Sequence, residues 1–284
     1  MEWLTGKLES ASGISMRLSS RSAWRLRPAI RDEKANSCSL GGRTVTNEEL
    51  RLAFESLTTA LVADSCVRLG IPVRLAPPGI RPAFAGARAA GRALPVRHFG
   101  SVDVFLEAME RAEPGDVLVV DNELRPDEGC VGDLAVLEAR AAGLGGVIVL
   151  GCHRDGPEVA AIGVPVFSYG TCPAGPLPGP ERLAARGPEA LESVRVAGEA
   201  LVTRDEAVFA DADGVVFAPA ARAAEILGVA GDIRETERRQ AEAIRAGKTL
   251  REQLRFAEYL LRRAADPSYT FRQHLREFKG AIEE

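Results

Sequence analysis

What this 284-residue chain lacks narrows its class before any motif is read. No apolar run approaches the ~20 residues a membrane-crossing helix needs, so no membrane partner is expected. Basic charge is not in excess: 36 Lys and Arg stand against 40 Asp and Glu, a formal net charge of -4, so no general nucleic-acid surface is indicated. The five cysteines, Cys38, Cys66, Cys130, Cys152 and Cys172, form no Cys-x-x-Cys pair. An odd, scattered set fits reduced thiols in a cytoplasmic compartment better than a disulfide framework. Internal repeats are absent, and the chain's first residues lack the apolar stretch of a secretory signal. What remains is 46% hydrophobic and 27% charged, the composition of a soluble globular protein with one sizeable core.

Residues 1–43 differ from the rest, with eight Ser, six Arg and two Lys against four acids and no sustained apolar period. They read as a disordered N-terminal extension, or as residues upstream of a later start at Met16. Folded sequence is expected from Thr46-Asn47-Glu48-Glu49, an N-cap followed by acids. A first helix carries Leu50, Phe54 and Leu57. A second runs from Thr59 to Leu69, contains Asp64 and ends at Gly70. Short strands and helices then alternate, which supports an α/β class. Strands are expected at Gly91–Val96, Val117–Asp121, Val147–Leu150, Val164–Phe167, Val194–Val196, Ala207–Ala210 and Val215–Ala218. Helices are expected at Asp103–Arg111, Ala135–Ala142, Ala220–Leu227 and, with a break at Gly247, Ile233–Arg263. The aromatic tail Tyr269–Arg276 packs on those helices or on another subunit. Residues 44–230 form the main α/β domain, and 231–284 a C-terminal helical segment making oligomer contacts.

Chemistry concentrates between Gly129 and Gly170. Val147-Ile148-Val149-Leu150 is a buried strand, and Gly151-Cys152-His153 leads from its carboxyl end into Arg154-Asp155. Open α/β sheets place ligands at that end of the strand. Gly132-Asp133-Leu134 opens the preceding helix, whose first turn offers amide donors to an anion. One side of a site would then present the amides of Gly132, Asp133, Leu134 and Ala135, and the other the Arg154 guanidinium beside the Asp155 carboxylate. Cys152 reads as small buried filler, with a nucleophile as the other reading. His98 reads as a surface or structural histidine, or one that faces the site. Asp121 and Glu123 point to the site rim or stand solvated in a loop. Ser168 to Pro180 is either a cover for the pocket or an exposed connector. His274 has no visible partner.

The order of Asp64, Pro114-Gly115-Asp116-Val117, Gly132-Asp133-Leu134, Gly151-Cys152-His153-Arg154-Asp155, Pro165-Val166-Phe167 and Asp213-Gly214-Val215 resembles the RraA-like family, which includes the class II pyruvate aldolases of the 4-hydroxy-4-methyl-2-oxoglutarate type. The resemblance spans roughly Val45 to Lys248. Where the family usually has a further Pro-Gly-Asp, this chain has Arg204-Asp205-Glu206. The resemblance implies a layered ββα sandwich with a swivelling central sheet, assembled as a homotrimer or hexamer. It also implies metal-dependent cleavage of 2-keto acids through a pyruvate enolate, as an aldolase or an oxaloacetate decarboxylase. Arg154 would hold the substrate carboxylate, and Asp155 would be the protein ligand of Mg²⁺ or Mn²⁺. Asp133 and an acid of the late helix, Glu237 or else Glu235, would orient metal-held waters, the latter from a neighbouring subunit. Some relatives instead act as protein-binding regulators of a ribonuclease, and the Arg-Asp pair does not discriminate. A nucleotide or adenosyl-methionine loop is rejected, because Gly143-Leu144-Gly145-Gly146 lies before its strand rather than after it.

Overall fold

The structure, a computed structural model, describes residues 45–176, 179–197 and 200–278. The expected extension at 1–43, with Cys38, lies outside them. Helix α1 (Asn47–Phe54) starts in a capping box in which Thr46 and Glu49 satisfy each other's backbone amides, and α2 (Thr59–Arg68) is capped by Thr58. Two short strands follow, β1 (Arg74–Leu75) and β2 (Arg81–Pro82). The centre of the chain then alternates: β3 (Ala89–Arg97), α3 (Asp103–Met109), β4 (Val117–Asp121), β5 (Gly129–Val131), α4 (Asp133–Ala141), β6 (Gly146–Leu150), β7 (Cys152–His153), α5 (Gly156–Ile162) and β8 (Val166–Ser168). Beyond it come α6 (Pro180–Ala184), β9 (Ser193–Ala197) paired with β10 (Ala200–Thr203), and the hairpin β11 (Glu206–Asp211) and β12 (Gly214–Pro219). The chain closes on α7 (Ala223–Arg245), α8 (Leu250–Gln253), α9 (Phe256–Ala265) and α10 (Phe271–Phe278).

Eight strands form one sheet in the order β1-β12-β11-β3-β4-β6-β8-β2, in which β3, β4, β6 and β8 are mutually parallel. The sheet must curl. Laid flat, its edge strands β1 and β2 would stand roughly 34 Å apart at ordinary strand spacing, but the six steps of chain from Leu75 to Arg81 reach at most about 20 Å. Strand alternation divides the apolar residues accordingly. Ala93, Val117, Val119, Ile148, Leu150, Phe167, Val208 and Phe217 point inward and meet Val194, Val196 and Val202 of the β9–β10 pair, which fills the hollow. On the outside, Leu94, Val96, Leu118, Val120, Val147, Val149 and Val166 pack under α3, α4 and α5. In another outer sector Phe209, Val216 and Ala218 pack under α1, α2 and α7. Coverage on both faces explains why the parallel strands read as unbroken β-branched runs.

The expected helices at 220–227 and 233–263 are divided differently. Residues 220–222 form a single 3₁₀ turn, and α7 then runs unbroken for 23 residues, so the boundary expected between 230 and 231 falls inside it. Buried Ile226, Ala230 and Ile233 lie at helical spacing and pin this stretch across Gly228 and Gly231. The break at Gly247 is present, with the left-handed φ of 94° that favours glycine. Beyond it the aromatic tail packs on its own helices: Tyr259 meets Phe256, Tyr269, Phe271 and His274. His274, assigned no partner from sequence, is buried with Nε2 3.0 Å from the Leu254 carbonyl.

Candidate functional site

The site is organised by a small parallel pairing at the carboxyl edge of the sheet. β5 and β7 match Gly129 with Cys152 and Val131 with His153, with a register shift at Cys130. The two segments leaving this pair therefore emerge side by side, Gly132-Asp133 into α4 and Arg154-Asp155 into α5. The Arg154 amide donates to the Val131 carbonyl at 2.8 Å and locks them together. Asp155 then takes a left-handed conformation, φ 58° and ψ 43°. Few non-glycine residues do so, Asp among them. Its Oδ2 comes 3.3 Å from Arg154 Nε and 3.4 Å from the Asp133 amide nitrogen.

Glycines make this approach possible. A Cβ on Gly132 would stand 2.5 Å from Asp155 Oδ2 and 3.0 Å from Arg154 Nε. A Cβ on Gly129 would stand 2.9 Å from Arg154 Cβ, and one on Gly175 2.7 Å from a guanidinium nitrogen of Arg154. Arg154 thus lies in a slot between three glycines while its side chain stays 44% exposed. The third wall comes from the loop after β8, so that loop is a cover rather than a free connector. His153 N donates to Gly170 O at 3.0 Å, Cys172 N to His153 O at 2.8 Å, and Gly129 N to Ala174 O at 2.7 Å.

The first turn of α4 is only partly open. Asp133 Oδ1 accepts from the Leu134 amide at 2.7 Å, and the Asp133 amide already faces Asp155. Leu134 is 75% exposed at the mouth, and Ala135 packs partly against the outer core. Glu237 and Glu235 stand on the later half of α7, which packs on α2 and α1, a different outer layer from that of α4 and α5. Within one chain the site therefore gathers Gly132, Asp133, Leu134, Arg154 and Asp155, and the late-helix acids belong elsewhere.

Burial decides the other candidates. Cys152 is 6% exposed and Cys130 8%. Burial pushes both thiols up, with Cys172 adding to the effect at Cys152, so neither is a ready thiolate and Cys152 is filler. His98 is a buried structural histidine, neither on the surface nor at the mouth. Asp121 is buried and accepts from the Glu123 amide at 2.9 Å, whereas Glu123 is exposed, so neither forms a rim of free acids. Sequence reasoning missed a polar group just behind the slot: Asn122, Glu128 and Arg182, with His98. These residues carry no periodicity. The one available signal was an acid, Glu128, set directly before a glycine that opens a strand.

Among the described residues no three His, Cys, Asp or Glu side chains gather into a metal cage. Asp155, its side chain 36% exposed beside open solvent, offers a single hard-oxygen ligand. That fits an ion such as Mg²⁺, which takes one or two carboxylates and keeps several waters. It does not fit a cation enclosed by protein.

The chain is similar to several known proteins. The RraA-like family model (Aldolase/RraA) matches residues 59–217. An uncharacterized protein of Methanocaldococcus jannaschii is 32% identical over 126 residues, 43% of this chain and 56% of that protein. A Halalkalibacterium halodurans protein named "Putative 4-hydroxy-4-methyl-2-oxoglutarate aldolase" is 28% identical over 125 residues, 43% of this chain and 55% of that protein. The chain thus spans about half the length of these curated relatives. Among solved structures, an uncharacterized protein from Pseudomonas syringae superposes with a TM-score of 0.61 at 27% identity, covering 74% of this chain and 98% of that one. Streptomyces coelicolor RraAS2, described as an unusual member of the RNase ES inhibitor RraA protein family, gives 0.56 at 28% identity, covering 69% and 96%.

Proposed function

The chain belongs to the RraA-like family, which includes both aldolase-type enzymes and RraA regulators, and we propose that it is a divalent-metal-dependent carbon–carbon lyase acting in the cytoplasm on small 2-keto acids through a pyruvate enolate. One observation carries this reading. A guanidinium and a carboxylate are held side by side, still open to water, against the first turn of a helix whose N-cap glycine leaves room for them to approach. In an ordinary surface ion pair the glycines would be unnecessary. The named Halalkalibacterium relative supports the same reaction class.

Arg154 offers a planar fork matched to the substrate carboxylate. The positive end of α4, from Gly132 to Ala135, lies along the other side and favours the partial negative charge of the keto oxygen. Asp155 would hold Mg²⁺ or Mn²⁺, which would supply Lewis-acid stabilisation of developing negative charge. Asp133, beside Asp155, orients a water that in retro-aldol cleavage takes up the 4-hydroxyl proton and returns a proton to the enolate carbon, and in decarboxylation, where CO₂ leaves, delivers that proton from solvent. Retro-aldol cleavage of a 4-hydroxy-2-oxo acid and decarboxylation of oxaloacetate generate the same enolate, so one site serves both. In a homotrimer or hexamer, Glu237 of a neighbouring subunit, with Glu235 as its alternative, completes the acceptors for the waters.

The test is pyruvate release from oxaloacetate and from 4-hydroxy-4-methyl-2-oxoglutarate, with Mg²⁺ and with chelator. Release that chelator stops and added Mg²⁺ restores is the expected result. Release that is indifferent to chelator removes the metal. Its absence under all conditions favours the regulator reading, which the likeness to RraAS2 supports.

A further inference from the structure

Behind the slot that holds Arg154 lies a second arginine–carboxylate pair, turned inward. Arg182 of α6 meets Glu128 through both arms of its guanidinium, at 2.9 and 2.7 Å, with side chains only 14% and 4% exposed. The same guanidinium donates to Asn122 Oδ1 at 2.8 Å, and His98 Nδ1 meets that oxygen at 2.8 Å. An oxygen that accepts from arginine accepts from the histidine as well, so His98 carries its proton on Nδ1. The imidazole stacks on Phe105 of α3, ring centres 5.1 Å apart. Burial alone would push the Glu128 carboxyl up. The hydrogen bonds and charge of Arg182, with the charge of Arg125, outweigh it and hold that carboxyl below its ordinary range.

Both ends of this pair attach to the walls of the slot. Glu128 directly precedes Gly129, whose amide binds Ala174 O and whose missing Cβ admits Arg154. Arg182 lies on the helix after the covering loop, whose Gly175 closes the slot on the guanidinium. Loop and strand meet otherwise through a few backbone hydrogen bonds.

We propose that the Arg182–Glu128 pair is a clasp that positions Arg154. By tying α6 to the start of β5 it holds Gly170–Pro176 down, so that the slot keeps the Arg154 guanidinium in one orientation and sets the affinity for a substrate carboxylate. Arg182 and Glu128 are positioning residues, acting through Arg154, and the proposal rests on the lyase reading for the role of Arg154 alone.

Two variants of the full chain test it. Glu128→Gln/Arg182→Met removes both charges together, which leaves no unpaired buried ion and commonly costs little stability. Arg182→Lys keeps the charge and loses the fork. The readouts are KM and kcat for oxaloacetate, the rate of maleimide labelling at half-buried Cys172 inside the covering loop, and modification of Arg154 by phenylglyoxal located by mass spectrometry. The double variant is expected to raise KM about tenfold or more while kcat falls less, and to speed labelling of Cys172 and change that of Arg154 severalfold, with Arg182→Lys between it and wild type. A lowered melting temperature with KM and both labelling rates unchanged would mean a purely structural pair and overturn the clasp. If the double variant does not fold, Arg182→Lys decides by the same measures. If wild type releases no pyruvate, the lyase reading falls, and the two labelling rates still decide the clasp.

Discussion

The mouth of the site and the floor behind it each hold an arginine beside a carboxylate, and they put the same chemistry to opposite use. At the mouth, Arg154 and Asp155 are 3.3 Å apart, with side chains 44% and 36% exposed. At the floor, Arg182 and Glu128 are 2.7 Å apart, with side chains 14% and 4% exposed. The open pair contributes only ~0–1 kcal/mol to stability, because water competes for both charges. Its geometry is set by glycines and backbone hydrogen bonds instead, which leaves both charged groups available to a ligand. The closed pair is shut away from solvent by its own packing and reaches no ligand without opening. What separates a binding arginine from a bracing one here is what fixes its position.

Truncation should therefore divide the two regions. Glu128→Ala leaves Arg182 buried without its counter-charge and should cost about 3–5 kcal/mol in a urea melt. Arg154→Ala should cost less than about 1 kcal/mol in the same melt. Equal losses would erase the distinction between floor and mouth.

Activity should divide them the other way. Arg154→Lys keeps the charge but loses the planar fork, and pyruvate release should fall by more than the tenfold that corresponds to ~1.4 kcal/mol, with the urea midpoint unchanged. Asp155→Ala should abolish the metal-dependent part without unfolding. Near-normal catalysis by the lysine variant would make Arg154 a brace as well.

Much of the mouth was legible in the sequence. A buried run ending in Gly-x-x-Arg-Asp and a Gly-Asp at a helix start are local signals, and α5 ends at Gly163 in the left-handed conformation that favours glycine, φ 81°. The floor was not legible. Arg182 and Asn122 are 60 residues apart in the chain, and only the curled sheet and the returning loop bring them together. Strands β5 and β7 escaped for a related reason. At three and two residues they are too short to show alternation, and they exist only as each other's partners. The continuity of α7 was not legible because Gly228 and Gly231 lower local helix propensity, while buried neighbours at helical spacing override them.

A smaller change sharpens the view that glycine sets the mouth. Gly132 has φ -118°, which any residue adopts, so Gly132→Ala carries no backbone strain. The added Cβ would meet Asp155 Oδ2 at 2.5 Å, which that short side chain can relieve by turning away. Stability should stay within about 1 kcal/mol of wild type, since lost chain entropy in the unfolded state offsets the displacement. KM for the 2-keto acid should nevertheless rise severalfold. An alanine variant with unaltered kinetics would show that the Arg154–Asp155 spacing is not what the site requires.

The smallest expected effect belongs to His98 and appears in stability rather than catalysis. Burial pushes its imidazole down from the ordinary 6.5, and the Arg182 charge adds to this, while the Asn122 hydrogen bond and the charges of Glu128 and Asp103 oppose. The folded protein thus binds a proton here less readily than the unfolded chain. Where the unfolded state holds more protons, stability rises with pH. The contribution is therefore complete above about pH 6.5, the unfolded value, and is lost as pH falls from there toward the folded value. His153 is displaced the same way by burial, so the wild-type slope contains both histidines, and the difference from His98→Gln isolates one. Glu128 is held below its ordinary 4.5, so its own loss begins at lower pH and stays out of the comparison if melts are taken between pH 5 and 7.5. In that window His98→Gln should be less stable than wild type at pH 7.5, where its stacking and hydrogen bond are missing, and should lose less on acidification, so the two curves converge toward pH 5. Parallel curves would mean that the histidine at the floor is as readily protonated as one in water, and that the floor is wetter than its packing implies.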